Sequence, residues 1–233
     1  MRAIKKFLQN FKPTKALYRK IASSRYKKKQ AKKLEAMRMN GNKTIAAIQS
    51  ILEGKCFFFF DMGTLLGIVR EGHLLGHDID IDVAVYAKDK NEIADIRKAI
   101  KDGGGVVEFS YAVEGLGPIE DSFVINGIKF DINYYTREEG KDVCYLMYRD
   151  PALKYDRDDV MSVVKLSCDP LVEIEKYDFF GTEINIPVNA ERYLAQRYGD
   201  DWRIPNTKYI YWKGPSTEKT DYMGRQCTVE TEI

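Results

Sequence analysis

Three aspartates at alternate positions, Asp78, Asp80 and Asp82, could bind a metal ion. In a β-strand, residues two apart project to the same face about 6–7 Å apart, so Ile79 and Ile81 would face the core. Carboxylates in a row repel one another, and oxygen ligands of this kind suit Mg²⁺ or Mn²⁺. The alternative is an exposed edge-strand face, but Asp is depleted in strands. We therefore predict a Mg²⁺ or Mn²⁺ site here, with Asp80 and Asp82 also catalytic.

A turn that contains glycine and a hydroxyl residue comes shortly before these aspartates. Gly63 and Thr64 follow an aromatic run at positions 57–60 and precede Arg70. Glycine lets backbone N–H groups approach a phosphate closely, and arginine adds charge-assisted hydrogen bonds to the same anion. A Gly-Thr pair is common in turns and is a weak signal alone. It becomes more specific because a row of carboxylates follows it. We predict that Gly63, Thr64 and Arg70 bind substrate.

A further carboxylate, Asp131, lies between apolar residues of a predicted strand at 128–135. A lone Asp is unexpected in a strand. It is either a ligand or general base facing the first row, a satisfied buried residue, or an exposed edge position. We predict that Asp131 is a general base, with Asp82 as the second candidate.

The periodicity of the remaining sequence predicts the elements that position these residues. Asn126-Gly127 is a strong hairpin signal, and Gly181 marks a second hairpin. Strands are predicted at 57–60, 78–86, 106–112, 122–125, 128–135 and 143–148, with the second hairpin at 179–186. Helices are predicted at 42–52, 91–102 and 189–198, and a turn or short helix at 64–70. The region 206–233 has weak periodicity. The fold class expected is α/β (α+β), a mixed β-sheet flanked by helices.

The net charge of +2 conceals a strong asymmetry. Residues 1–43 carry fifteen Lys and Arg and one acidic residue, whereas residues 44–233 carry 22 basic and 34 acidic residues. Apolar residues recur at helical spacing in the basic part: Ala3, Ile4, Phe7, Leu8, Phe11, Leu17, Tyr18 and Ile21. We predict a basic amphipathic helical extension at 1–43 and a catalytic domain at 44–233. Residues 1–38 would contact an anionic membrane; packing on the body is the alternative, and a nucleic-acid partner is disfavoured.

The composition limits the classes of protein to consider. The chain has 233 residues, 44% of them hydrophobic, which is an ordinary globular balance. No apolar run approaches the 18–20 residues that a membrane span needs. The four cysteines are far apart and form no CxxC pair, which fits a reducing cytosol better than a zinc site or a disulfide framework. The expected location is cytoplasmic, peripheral on the inner face of the membrane.

The motifs resemble those of the LicD family of bacterial phosphocholine transferases and fukutin-related ribitol-phosphate transferases. One motif runs from Asp61-x-Gly-Thr-Leu-Leu-Gly-x-x-Arg70 to Asp78-x-Asp-x-Asp82, and a second from Pro187 to Tyr193-Leu194 and on to Trp202 and Pro205. The resemblance covers residues 61–205. It implies a nucleotidyltransferase-like fold with the metal-binding carboxylates at Asp78, Asp80 and Asp82.

The resemblance also implies a reaction. Members of the family transfer a phospho-alcohol, such as phosphocholine, ribitol phosphate or glycerol phosphate, from a CDP-activated donor to a glycan hydroxyl and release CMP. Members commonly have Pro-Trp before the first Asp, where this chain has Gly76-His77. His77 is therefore a candidate substrate contact in place of the missing indole.

Two other functions remain open from the residues alone. A nucleotidyltransferase that uses an NTP would need the same metal row and would release pyrophosphate instead of CMP. A non-enzymatic nucleic-acid binder would use the basic segment and leave the carboxylates structural, which the intact carboxylate row makes the least favoured function.

Overall fold

The computed structural model describes residues 12–171 and 173–228, beginning with a 41-residue helix, α1 (Lys12–Leu52). The helix buries one apolar stripe, Met37, Ile45, Ile48 and Leu52, against the body. Residues 22–29 are exposed on every side of the helix. The apolar stripe predicted over residues 3–21 lies outside the described residues and side chains.

The prediction of a separate helix that begins at residue 42 is wrong, because α1 continues through this position without a break. Gly41 does not end the helix, although a helical glycine costs about 1 kcal/mol. The buried stripe continues beyond it, and a Cβ at Gly41 would lie only 2.6 Å from Leu74 Cδ1. The glycine therefore allows a close approach, and one helix spans the proposed boundary between residues 43 and 44.

The other elements form a large sheet with flanking helices. They are β1 (Phe57–Phe60), α2 (Met62–Glu71), β2 (Asp80–Tyr86), α3 (Lys90–Asp102), β3 (Val106–Val113), β4 (Gly117–Ile125), β5 (Ile128–Glu138), β6 (Lys141–Tyr148), β7 (Val160–Cys168), β8 (Ile174–Phe179), β9 (Thr182–Pro187), α4 (Ala190–Tyr198), a 3₁₀ turn (Tyr211–Lys213) and β10 (Thr217–Cys227). The predicted α/β class with a mixed sheet is confirmed.

The main sheet has eight strands in the order β1-β2-β5-β4-β3-β10-β7-β6, and β6 also pairs with β5. Tyr135 of β5 pairs with Tyr86 of β2 and with Cys144 of β6, so β2 and β6 lie on opposite edges of β5. The strands from β5 through β4, β3, β10 and β7 to β6 therefore close on themselves. The β8–β9 hairpin forms a separate two-stranded sheet.

Strand β5 is the centre of the functional half of the sheet. It pairs in parallel with β2 and antiparallel with β4, to which the predicted Asn126-Gly127 turn connects it. Asn126 and Gly127 have φ of 53° and 78°, as both central residues of a type I′ turn require. Ile81 and Val83 of β2 are fully buried, so alternate residues of this strand are left for the opposite face.

Two strands that the sequence analysis did not predict complete the closed part of the sheet. β7 lies in a region to which no element was assigned, and β10 lies in the weakly periodic region after residue 206. β10 connects β3 to β7, with a register irregularity between Lys219 and Met223. Gly224 allows the close packing there, because a Cβ would lie 2.2 Å from Met147 Sδ.

Candidate functional site

A cleft of about 1050 Å³ opens over the polar face of β2, β5 and β4. Its floor carries the side chains that alternate with the core residues of these strands. The floor residues are Asp80, Asp82, Glu120, Lys129, Asp131 and Asn133. The other walls come from the start of α2, from β6 and from the segment that follows α4. The period-two alternation of three adjacent strands therefore concentrates charge on one surface.

Asp78, Asp80 and Asp82 all line this cleft, as their spacing predicts. Asp80 lies opposite Lys129 in the register of β2 and β5, and Asp82 lies opposite Asp131. Asp78 precedes the strand, with its carboxylate against the first turn of α2. A Cβ at Gly63 would be 3.0 Å from Asp78 Oδ2, so this glycine makes space for the carboxylate.

Burial and mutual repulsion make these carboxyl groups hard to ionise. Burial raises the pKa of Asp78 to about 6, and His77 partly opposes that rise. Burial, followed by repulsion from Asp80 and Asp131, raises the pKa of Asp82 well above its ordinary value. Burial, followed by repulsion from Asp131, raises the pKa of Glu120 to about 8. A bound cation would relieve this repulsion.

The donor set fits a divalent cation that substrate helps to bind. Among the described residues, no group of three His, Cys, Asp or Glu side chains is close enough to hold a metal ion. However, Asp78 Oδ2 is buried and has no hydrogen-bond partner, which leaves an oxygen for a ligand outside the chain. Mg²⁺ typically binds through one or two carboxylates plus substrate phosphates, and this site offers such carboxylates.

Thr64 has a structural position, which corrects its predicted contact with substrate. Its side chain is buried outside the lining of the cleft, and its Oγ1 accepts a hydrogen bond of 2.9 Å from the Asp82 N–H. On the other side, the Asp61 N–H donates to the Asp82 carbonyl at 3.0 Å. The start of α2 thereby holds the backbone of Asp82. Gly63 lines the cleft.

Arg70 and His77 also line the cleft, but Arg70 is hydrogen-bonded to its neighbours, whereas His77 is mostly exposed. Arg70 Nε donates to Glu71 Oε1 at 2.8 Å, and Nη1 donates to the Trp202 carbonyl at 3.2 Å. Arg70 is therefore bound to two neighbours and joins α2 to the segment after α4. The His77 side chain is 80% exposed, with Nε2 at 3.7 Å from Asp78 Oδ1.

Asp131 is held by its neighbours, which does not suit the role of general base predicted for it. Its Oδ1 accepts a short hydrogen bond from the Ser122 hydroxyl, and its Oδ2 accepts one of 2.6 Å from Lys129 Nζ. A carboxylate with both oxygens bonded is a weaker proton acceptor. The Asp82 carboxylate, by contrast, makes no hydrogen bond with the described residues and lines the cleft.

The sequence analysis missed three polar floor residues and part of the aromatic wall. Lys129 and Asn133 flank Asp131 at alternate positions, so the same periodicity could have identified them. Glu120 precedes Ser122 on β4 in the same way. The aromatic residues of the wall are Tyr111, Tyr148, Tyr198, Trp202, Tyr209 and Tyr211. From the sequence, Trp202 was a candidate for stacking on a base or sugar, and Tyr209 and Tyr211 were candidates for an acceptor groove, with core packing as the alternative for Trp202. Tyr111 and Tyr148 gave no local signal.

The fold and the site combine a mixed α/β sheet, a row of aspartates and a helix start that contains glycine, which agree with the nucleotidyltransferase-like fold that the resemblance implies. Residues 55–189, more than half of the chain, match the family described as LicD/FKTN/FKRP, nucleotidyltransferase domain. The chain belongs to this family, and the resemblance seen in the sequence is confirmed. The match contains the first motif and ends before Tyr193-Leu194 of the second. No curated protein matches the chain.

Membership of this family indicates a transferase with a phosphotransferase-type activity on glycans. An activated phospho-alcohol donor and a glycan acceptor are the general partners of such a reaction. Within the described part of the chain, no helix has the length and apolarity that crossing a membrane requires.

Proposed function

We propose that the protein is a metal-dependent phosphotransferase. It moves a phospho-alcohol (phosphocholine, ribitol phosphate or glycerol phosphate) from a CDP-activated donor to a hydroxyl of a cell-surface glycan, and CMP leaves. The observation that carries this proposal is that Asp78, Asp80 and Asp82 line one cleft, which is large enough for a nucleotide-linked donor. Family membership supplies the general reaction class.

Asp78, Asp80 and Asp82 would hold Mg²⁺ or Mn²⁺. When bound, the cation supplies positive charge that neutralises the donor diphosphate, the main requirement of phosphoryl transfer. The unpartnered Oδ2 of Asp78 supports this assignment. The raised pKa of Asp82, caused first by burial and then by Asp80 and Asp131, is a second sign that the row lacks a countercharge.

The first turn of α2 would bind the oxygens of the donor phosphates. The first N–H groups of a helix have no partner within the helix. Asp61 stands at the N-cap, but its side chain makes no capping hydrogen bond. Met62 and Gly63 of this turn line the cleft, so their N–H groups are available to an anion. The predicted role of Gly63 is kept, and Arg70 and His77 are proposed as further contacts.

Asp82 is the better candidate for the general base. It would accept the proton of the acceptor hydroxyl as that oxygen attacks phosphorus, while the bond to the CMP phosphate oxygen breaks. Asp131 is already held by Ser122 and Lys129. Because a carboxylate has two oxygens, Asp82 can contact the cation with one and the hydroxyl with the other.

The proposal is tested by the Asp80→Ala variant, with CMP release from CDP-choline, CDP-ribitol and CDP-glycerol as the assay. We expect a folded protein with activity at least about 100-fold lower, because the row loses a ligand. Asp95→Ala, at an exposed position on α3, is the matched control. Full activity of Asp80→Ala would refute the assignment. Pyrophosphate release from an NTP would favour the nucleotidyltransferase alternative.

We also propose that the basic segment of α1 binds an anionic membrane surface. The cluster Lys27, Lys28 and Lys29 lies in the part of α1, residues 22–29, in which every residue is exposed. Each basic residue near an anionic bilayer contributes about 1 kcal/mol. Replacing all three lysines by Gln should therefore weaken binding to anionic vesicles about 100-fold in low salt.

This vesicle test has a matched control elsewhere on the surface. Lys55, Lys101 and Lys208 are exposed on the body, and their replacement by Gln removes the same charge. Co-sedimentation with anionic and neutral vesicles measures both triple variants. Equal binding by the two would contradict the proposal, and tighter binding to an oligonucleotide than to vesicles would favour nucleic acid. Deleting residues 1–38 is a poorer test, because Met37 is buried in the core.

A further inference from the structure

Lys129 is a cation buried among the carboxylates of the cleft. Its side chain is 17% exposed, and Nζ lies 2.6 Å from Asp131 Oδ2 and 3.9 Å from Asp80 Oδ2. The ring centroid of Phe109 lies 5.3 Å from Nζ on another side. The ammonium group is therefore held between β2, β3 and β5.

The surroundings of Lys129 keep it charged. Asp131 and Asp80, whose nearest oxygens lie 2.6 Å and 3.9 Å from Nζ, compensate the positive charge of the ammonium group. Asp131 is in turn fixed by Ser122, the residue opposite it on β4. Lys129 and Asp131 thus form an oriented pair.

The position of Lys129 determines how many metal ions the carboxylates can hold. A second divalent ion between β2 and β5 would need a carboxylate from β5, and Asp131 is the carboxylate of β5 that lines the cleft. Lys129 contacts Asp131, and it also contacts Asp80 of β2. An ammonium group and a divalent cation cannot share these oxygens without strong repulsion. Lys129 makes no ion pair with Asp78, whose Oδ2 has no partner and lies against Gly63 of α2.

We infer that the ammonium group of Lys129 occupies the position where a second divalent cation would bind. The cleft therefore holds one metal ion per chain, and Lys129 orients Asp131 instead of a second metal. The inference rests on the proposed function and deepens it. The one ion would bind on the side of Asp78. Lys129 would neutralise Asp131 and the near oxygen of Asp80 without a metal.

Counting bound Mn²⁺ by electron paramagnetic resonance, with CDP present to supply the diphosphate ligand and with no acceptor, tests the inference. We expect one bound Mn²⁺ in the wild-type chain and in Lys129→Arg, which keeps the charge. We expect two in Lys129→Met, because Asp80 and Asp131 are then released for a second ion. In Lys129→Met with Asp131→Asn, the count should return to one, because a ligand of that second site is lost.

The count in the wild-type chain keeps the inference falsifiable even if Lys129→Met does not fold. Two bound ions in the wild-type chain, or none, would overturn it. A folded Lys129→Met that binds one ion would also overturn it. One bound ion without CMP release would refute the transferase activity and support the role of Lys129. Two bound ions with normal CMP release would support the transferase activity and refute the role of Lys129.

Discussion

Asp61 and the cleft carboxylates Asp78, Asp80 and Asp82 lie close together in the sequence but differ in their partners. Asp61 is the paired carboxylate, and Asp78 is the unpaired one. Asp61 is fully buried beneath α4, where Tyr135 donates to its Oδ2 at 2.7 Å and Tyr193 donates to its Oδ1 at 2.9 Å. Arg197 adds a positive charge 3.9 Å from Oδ2. In the cleft, by contrast, Asp78 has a buried oxygen without any partner.

The difference distinguishes a carboxylate with structural partners from one that we propose binds a ligand. A buried charge that is fully paired holds its neighbours together, and losing one partner is costly. A carboxylate that is left unpaired beside others destabilises the empty fold and is retained for a ligand. Asp61 begins the family motif and Asp82 ends it, so membership of one motif does not imply one role.

The largest expected effect is that of breaking the paired group. Asp61→Ala removes the acceptor of two tyrosine hydroxyls and leaves Arg197 buried without its charge partner. We expect the free energy of unfolding to fall by about 3–5 kcal/mol. Urea denaturation followed by circular dichroism measures the change. Asp95→Ala should lie within about 0.5 kcal/mol of wild type, and a loss below about 1 kcal/mol in Asp61→Ala would contradict the structural role.

The next largest effect concerns Thr64, which lies at the start of α2 beside Asp61 and holds the backbone of Asp82. Thr64→Val keeps the shape of the side chain and removes the oxygen that accepts the Asp82 N–H at 2.9 Å. We expect a loss of about 1–3 kcal/mol, because a backbone donor loses its partner. Thr64→Ser, which retains a hydroxyl, should lose clearly less in the same unfolding experiment. Equal losses in the two variants would show that packing of the methyl group, not the hydrogen bond, matters here.

The local parts of this arrangement could be predicted from the sequence. The alternation of β2 predicted a shared carboxylate face, and the Asn126-Gly127 pair predicted the turn before β5. Lys129 was within reach of the same reasoning, since it alternates with Asp131. These features depend on the period-two geometry of a strand and on backbone conformation, both of which are encoded by neighbouring residues.

The long-range parts could not be predicted in this way. The partners of Asp61 are 74 and 132 positions away in the chain, and nothing near Asp61 specifies them. The same is true of β10, which pairs with β3 and β7 and closes the sheet. The sequence analysis therefore placed Thr64 at the substrate, although its hydroxyl is used by the backbone of Asp82.

The smallest expected effect tests the unpaired group through its pH dependence. The pKa of Asp78 is raised by burial from 3.8 to about 6, so the folded state binds the proton more tightly than the unfolded state. The stability that this group contributes is therefore present below about pH 4 and is lost as the pH rises through about 6. Asp78→Asn, which cannot ionise, should be about 1 kcal/mol more stable than wild type at pH 7 in EDTA and close to it at pH 4.

Adding Mg²⁺ sharpens the same experiment. The cation should raise the stability of the wild-type protein at pH 7 and change that of Asp78→Asn less, because a ligand that binds only the folded state stabilises it. Thermal unfolding at pH 4, 5, 6 and 7 measures the difference, with the exposed Asp95→Asn as the control. A stability difference between wild type and Asp78→Asn that is the same at every pH would mean that both oxygens of Asp78 have hydrogen-bond partners in solution. Asp78 would then not differ from Asp61 in its pairing.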